Sequence, residues 1–143
     1  MIVTGEHVAR FVSEGLHFGL CPPYIAIGTE VDGTIINGVI LNHYEGEDIC
    51  VTAYGSRWGR RIMEAIGVYV FDMLGCERMT MVTQHEGVAK LAEKLGGARE
   101  GVMRGHFGKG VDGIIIGVLR DDYRYLPEAL RGGARSDMVA PGG

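Results

Sequence analysis

The chain has 143 residues and a formal net charge of −4, with 46% hydrophobic and 22% charged residues. That length gives one domain with a sizeable core and excludes two ordinary ones, and the composition excludes bulk disorder. Negative charge without a long cationic run disfavours non-specific nucleic-acid binding, and the absence of any window near the roughly twenty apolar residues of a membrane span predicts a cytoplasmic protein with no membrane partner.

Thr4 is placed to cap a first helix running roughly to Glu14, with Val8, Phe11 and Val12 on one face. Pro22 and Pro23 in LCPPY then exclude a helix. Three strands follow, YIAIGTEV, TIINGVILNHY and DICVTAY, the first two joined by Asp32-Gly33, a dipeptide suited to a two-residue hairpin. In the middle strand alternation puts Ile35, Val39, Leu41 and His43 on one face and Ile36, Ile40 and Tyr44 on the other, so both faces need cover.

After GSRWGRR the pattern becomes a long buried helix, IMEAIGVYVFDML, with Ile62, Ile66, Val70 and Met73 or Leu74 at helical spacing. Gly67 within it would let the helix approach the sheet, and Gly75 ends it. RMTMVT reads as a strand and EGVAKLAEKL as an amphipathic helix with Val88, Leu91, Ala92 and Leu95 inside. AREGVMRGHF and GIIIGVLRDDY form a closing hairpin, and residues 127–143 read as a loosely held tail. Cys21, Cys50 and Cys76 are odd in number and lack a CxxC pair, so neither disulfides nor a metal site are signalled. The 24 glycines are too many for linkers alone and imply turns and close backbone contacts.

The Gly/Arg loop carries chemistry of its own. A helix start leaves backbone N–H groups unpaired and partly positive, so Trp58, Gly59, Arg60 and Arg61, with Arg57 nearby, suit a pyrophosphate. The alternative reading is a solvated basic helix start.

The element order, together with LAEKLGGAREGVMRGHF, VYVFDMLGCERMTMVT and GVLRDDYRYL, resembles the GNAT acetyltransferase superfamily from Thr4 to about Leu126. It is similar to the short acetyltransferase-like proteins of bacterial and phage genomes. The resemblance implies an α/β (α+β) fold, a mixed, mostly antiparallel sheet of about six to seven strands with helices on both faces. It implies a single domain over residues 1–126, with acetyl-coenzyme A as donor and a small-molecule or protein amine as acceptor. In such proteins the loop before the buried helix holds the diphosphate, and a splay between the fourth and fifth strands exposes backbone that holds the pantetheine and the carbonyl oxygen. Carried over, the coenzyme site comprises Val51, Ala53, Arg57, Trp58, Gly59, Arg60, Arg61 and His85.

Four positions depart from the family pattern. Ser56 and Arg61 stand at the ends of the phosphate-loop motif, Ala92 replaces the usual acid, a tyrosine, and Gly97 replaces a phenylalanine, implying a wider neighbouring pocket. Candidate catalytic residues are therefore His43, Glu47 and Tyr54, with His106 and Asp112 as candidate acceptor contacts. The leading reading is N-acetyl transfer by direct attack of an amine. Its rival is a catalytically degenerate coenzyme-binding or assembly module. Nucleic-acid binding would require Arg57, Arg60, Arg61 and Arg78 to form one patch, and the edge strand of the hairpin would permit a homodimer.

Overall fold

The computed structural model describes residues 1–131 and builds, in chain order, β1 (Ile2–Thr4), α1 (Glu6–Leu16), β2 (Tyr24–Val31), β3 (Thr34–Asn42), β4 (Cys50–Gly55), α2 (Arg60–Gly67), β5 (Arg78–Thr83), α3 (Glu86–Lys94), β6 (Ala98–Met103) and β7 (Gly113–Leu119). The strands form one sheet, β1-β2-β3-β4-β5-β7-β6, antiparallel except where β4 meets β5. The larger core lies between the sheet and α2 and α3; a smaller one of Val8, Ala9, Val12, Ala26 and Ile40 lies under α1. This is the mixed sheet with helices on both faces that the sequence predicts.

Several local features differ from the sequence expectations. Thr4 does not cap α1: it ends β1, whose three residues pair with Ile27, Gly28 and Thr29, too short a strand to show periodicity. The cap position falls to Gly5, whose φ of 118° favours glycine. Ile35 leaves the face of Val39 and Leu41 and joins the core under α1. The register slips between Thr29↔Asn37 and Glu30↔Ile35, and the extra residue, Ile36, reverses the alternation. His43 lies beyond β3 with φ 53°, so it belongs to neither face of the strand.

The buried helix also changes character. α2 passes into a π-helical turn over Val68–Met73, in which hydrogen bonds span five residues, as from Leu74 N–H to the Tyr69 carbonyl. The widened turn buries Val70 and Phe71 and leaves Met73 60% exposed, so of the two residues the helical spacing allowed at the last inward position it is Leu74 that packs on the core. The space a side chain at Gly67 would fill is taken by the Tyr123 ring, whose hydroxyl donates to the Met63 carbonyl at 2.6 Å.

Gly96 has φ 112° where the chain leaves α3, as a left-handed helix terminus requires. Gly97 packs so tightly that a Cβ there would lie 2.8 Å from both the Ala92 carbonyl oxygen and Ile116, so its missing side chain leaves no widened pocket. β7 ends at Leu119, and Arg120–Asp122 turn as a 3-10 helix instead of extending the strand. Of the expected tail, the first residues are tied down: Arg120 donates to the Leu130 carbonyl, Arg131 to that of Leu126, and Leu130 packs on the larger core. Residues 132–143 lie outside the described residues. Among those described, no helix is long and apolar enough to cross a membrane.

Candidate functional site

β4 and β5 run parallel but pair at only two positions, Cys50↔Thr80 and Val51↔Met81, although β4 continues to Gly55 and β5 to Thr83. Beyond the second rung the strands diverge. Thr80 N–H donates to the Ile49 carbonyl, and alternate residues of a strand offer their backbone groups to the same edge. The amide and carbonyl of Ala53 therefore face the opening with no strand partner, and such groups need water or a ligand.

The open end of the wedge leads to the loop Ser56–Gly59 and the start of α2. Gly59 caps the helix in an extended conformation without any side-chain hydrogen bond, so the first N–H groups of α2 remain available to an anion. Arg60 is committed to its own helix, pairing with Glu64 at 2.8 Å. Arg57 and Arg61 are exposed and have no carboxylate partner among the described residues. The side chain at the sixth motif position is thus directed to solvent at the helix start, available for contact with phosphate.

A residue the sequence reading missed shapes this loop. Asn37, fully buried in β3, donates through Nδ2 to the Ser56 carbonyl at 2.9 Å and the Arg57 carbonyl at 3.2 Å, while Ser56 N–H donates to the Ile36 carbonyl. These bonds hold two consecutive carbonyls inward and fix the loop, with Arg57 in the left-handed region at φ 56°, directly before the start of α2. A polar residue inside an apolar strand was the available signal, since buried asparagine is rare without a partner to serve.

A cleft of about 760 Å³ passes through the splay. On the α1 side its walls are Phe11, Gly15, Leu16, Ile35, Ile36 and Tyr54; on the other side they are Ala53, Trp58, His85, Val88 and Leu91. Beneath it is an apolar void of about 30 Å³ that shares Ala53, Trp58, Val88 and Leu91 and reaches Ala92. The Tyr54 ring lies against α1, 5.3 Å from the Phe11 ring centre, in the space a side chain at Gly15 would occupy. Thr83, also buried, accepts a hydrogen bond from His85 N–H at 3.0 Å and so fixes the start of α3 at the cleft.

Of the three catalytic candidates, only Tyr54 borders the cleft. His43 and Glu47 lie between β3 and β4 at the closed end of the wedge, where Asn42 pairs with Cys50, at the opposite end of β4 from the α2 start. The structure does not bring them together with Tyr54, because strand direction carries β4 away from them. Val51 forms the last rung, Ala53 the first free position, and Trp58 and His85 line the cleft. His106 packs over Gly113 beside Val82, near the open end of β5, while Asp112 closes the hairpin loop by accepting from Gly105 N–H at 2.9 Å.

Arg78 does not join the arginines of the loop. It sits at the start of β5, at the closed end, where it pairs with Glu100 at 2.6 Å and Asp48 at 3.7 Å, so the single basic patch required for nucleic acid does not form. Among the described residues, no group of three His, Cys, Asp or Glu side chains could hold a metal ion.

No protein-family model matches this sequence, and no curated protein matches it. Solved structures do match its fold. A mutant form of the spermidine/spermine N-acetyltransferase SpeG from Vibrio cholerae is similar at 12% identity with TM-score 0.69, covering 86% of this chain and 96% of that one. The aminoglycoside 6'-acetyltransferase type Ii is similar at 14% identity and TM-score 0.59, over 84% of this chain and 97% of that one. The ribosomal-protein-S5-alanine acetyltransferase from Vibrio fischeri is similar at 19% identity and TM-score 0.56, over 71% and 64%. At such identities the likeness establishes the fold, which is that of the GNAT acetyltransferases.

Proposed function

We propose that this protein is a cytoplasmic N-acetyltransferase that moves the acetyl group of acetyl-coenzyme A to an amine by direct attack. The observation that carries the reading is the β4–β5 splay opening onto a loop pinned by Asn37 and an uncapped helix start flanked by Arg57 and Arg61. The N–H groups at the α2 start, with the two arginines, suit the diphosphate; the free backbone of Ala53 and the apolar surface of Trp58, Val88 and Leu91 suit the pantetheine. The coenzyme supplies the activated thioester.

The amine nitrogen, neutral at attack, forms the N–C bond as the C–S bond breaks. Tyr54, the titratable group on the α1 wall of the cleft, gives the sulfur its proton and recovers one from the attacking nitrogen through water. A polarised carbonyl needs a fixed donor, and the Ala53 amide is placed on the splay edge for that role.

The test is calorimetric titration with acetyl-coenzyme A followed by assay of free thiol on adding amines. Binding with thiol release supports the reading; no binding at millimolar ligand overturns it. Ala92, buried where the resembling family carries its tyrosine, favours one second reading, a coenzyme-binding module without turnover. Tight binding with no thiol release from any amine would establish that alternative.

A further inference from the structure

We propose that the acceptor is an apolar monoamine, an aryl- or alkylamine carrying a single nitrogen charge, and not a polyamine; this rests on the acyl-transfer reading of the same cleft. The α1-side wall, across the splay from the surfaces assigned to the coenzyme, consists of Phe11, Leu16, Ile35, Ile36 and Tyr54 with Gly15 between them. Among the described residues, no aspartate or glutamate lines the cleft. The acid that opens α1, Glu6, is held by the Tyr24 hydroxyl at 2.8 Å. The other acid near this wall, Glu14, is exposed and does not line the cleft.

A chain of ammonium groups entering such a wall would lose its hydration with no carboxylate to replace it. An apolar body does not suffer that penalty. It gains contact with the tilted Phe11–Tyr54 pair, whose edges and faces offer an aromatic ring or alkyl chain a ready surface, and its ammonium can rest against the Tyr54 ring on arrival. The same wall prepares the nucleophile. Low polarity without carboxylates lowers the amine's pKa and favours the neutral form that attacks, whereas a carboxylate-lined pocket would hold the amine protonated.

The bulge at Ile36 makes this wall. By returning Ile35 to the α1 side it places two consecutive isoleucines at the cleft, where regular alternation would place one.

Trp58 is the single tryptophan of the chain and lines the cleft, so its fluorescence reports occupancy. The protein is first saturated with coenzyme A, then titrated separately with 2-phenylethylamine and spermidine. The expected result is half-saturation by 2-phenylethylamine at a concentration about tenfold or more below that for spermidine. Ile36→Glu, which adds a carboxylate to the wall, should reverse that order, and Phe11→Ala should weaken the aryl amine about tenfold while coenzyme A binding, which also certifies folding, is retained. Equal or tighter binding of spermidine to the unmodified protein, no binding of 2-phenylethylamine, or an order unchanged by Ile36→Glu overturns the inference. Failure of coenzyme A itself to bind is a different result, which overturns the acyl-transfer reading beneath it.

Discussion

Asn37 and Arg57, twenty residues apart in sequence, are joined by a hydrogen bond of 3.2 Å from a fully buried side chain to the carbonyl of a left-handed loop residue. The Asn37 Oδ1, also buried, has no protein partner among the described residues, and an unmet buried acceptor costs about 1–3 kcal/mol. A leucine there would suit the core better, so the asparagine is explained by what it does to the loop.

Replacing Asn37 by Leu should therefore weaken coenzyme A binding about tenfold, because the Ser56 and Arg57 carbonyls are released, while changing stability by no more than about 2 kcal/mol. Pantetheine, which lacks the diphosphate, should bind as before. Calorimetry with both ligands, beside urea denaturation, separates the loop effect from a general loss of structure; equal weakening of both would refute it.

The three arginines of the loop should divide by their partners. Arg57→Ala with Arg61→Ala removes two cations available to phosphate, each charge-assisted bond contributing about 1.5–3 kcal/mol, so the double variant should lose at least tenfold in affinity and show a flatter salt dependence. Arg60→Ala should change little, since that guanidinium is engaged by Glu64. Titrations at two ionic strengths check both outcomes.

Position in the wedge decides which candidates matter for catalysis. Tyr54→Phe should lower kcat by about a hundredfold with acetyl-coenzyme A affinity unchanged. His43→Ala and Glu47→Gln, at the closed end of the wedge, should leave kcat within about twofold of the unmodified protein. Gly15→Val gives an independent test of the Tyr54 placement. Its side chain would overlap the Tyr54 ring, so the fold should lose about 1–3 kcal/mol, readable as a lower denaturation midpoint.

Tyr123 sets an alkaline limit on stability. Burial, reinforced by the neighbouring Tyr125, raises its pKa well above the ordinary value of 10.0. The hydroxyl thus ionises more easily in the unfolded chain than in the fold. Its contribution is complete below about pH 10 and is lost as the pH rises beyond that value. Tyr123→Phe should lose about 1 kcal/mol at pH 7, with the hydrogen bond to the Met63 carbonyl, and should fall less steeply between about pH 10 and 12. Urea denaturation at pH 8 and pH 11 gives the comparison.

The sequence by itself determined the element order from α1 to β7, the turn at Asp32-Gly33, where both residues have positive φ, and the covering of both faces of β3. These follow from local periodicity and backbone preference, which act over a few residues. It also brought the β4 backbone, Trp58 and the Gly59 helix start to one neighbourhood, because a strand, a loop and a helix adjacent in the chain remain adjacent in space.

Only the tertiary structure decided the rest. β1 is visible through its pairing with β2, the bulge at Ile36 through a register, and the π turn after Gly67 through the hydrogen bonds it makes. The direction in which β4 leaves β5 separates His43 and Glu47 from Tyr54, and the meeting of Asn37 with Arg57 and of Gly15 with Tyr54 joins residues from different elements. Residue type and spacing along one chain carry no record of such distances, which are fixed when the sheet pairs and the helices pack on it.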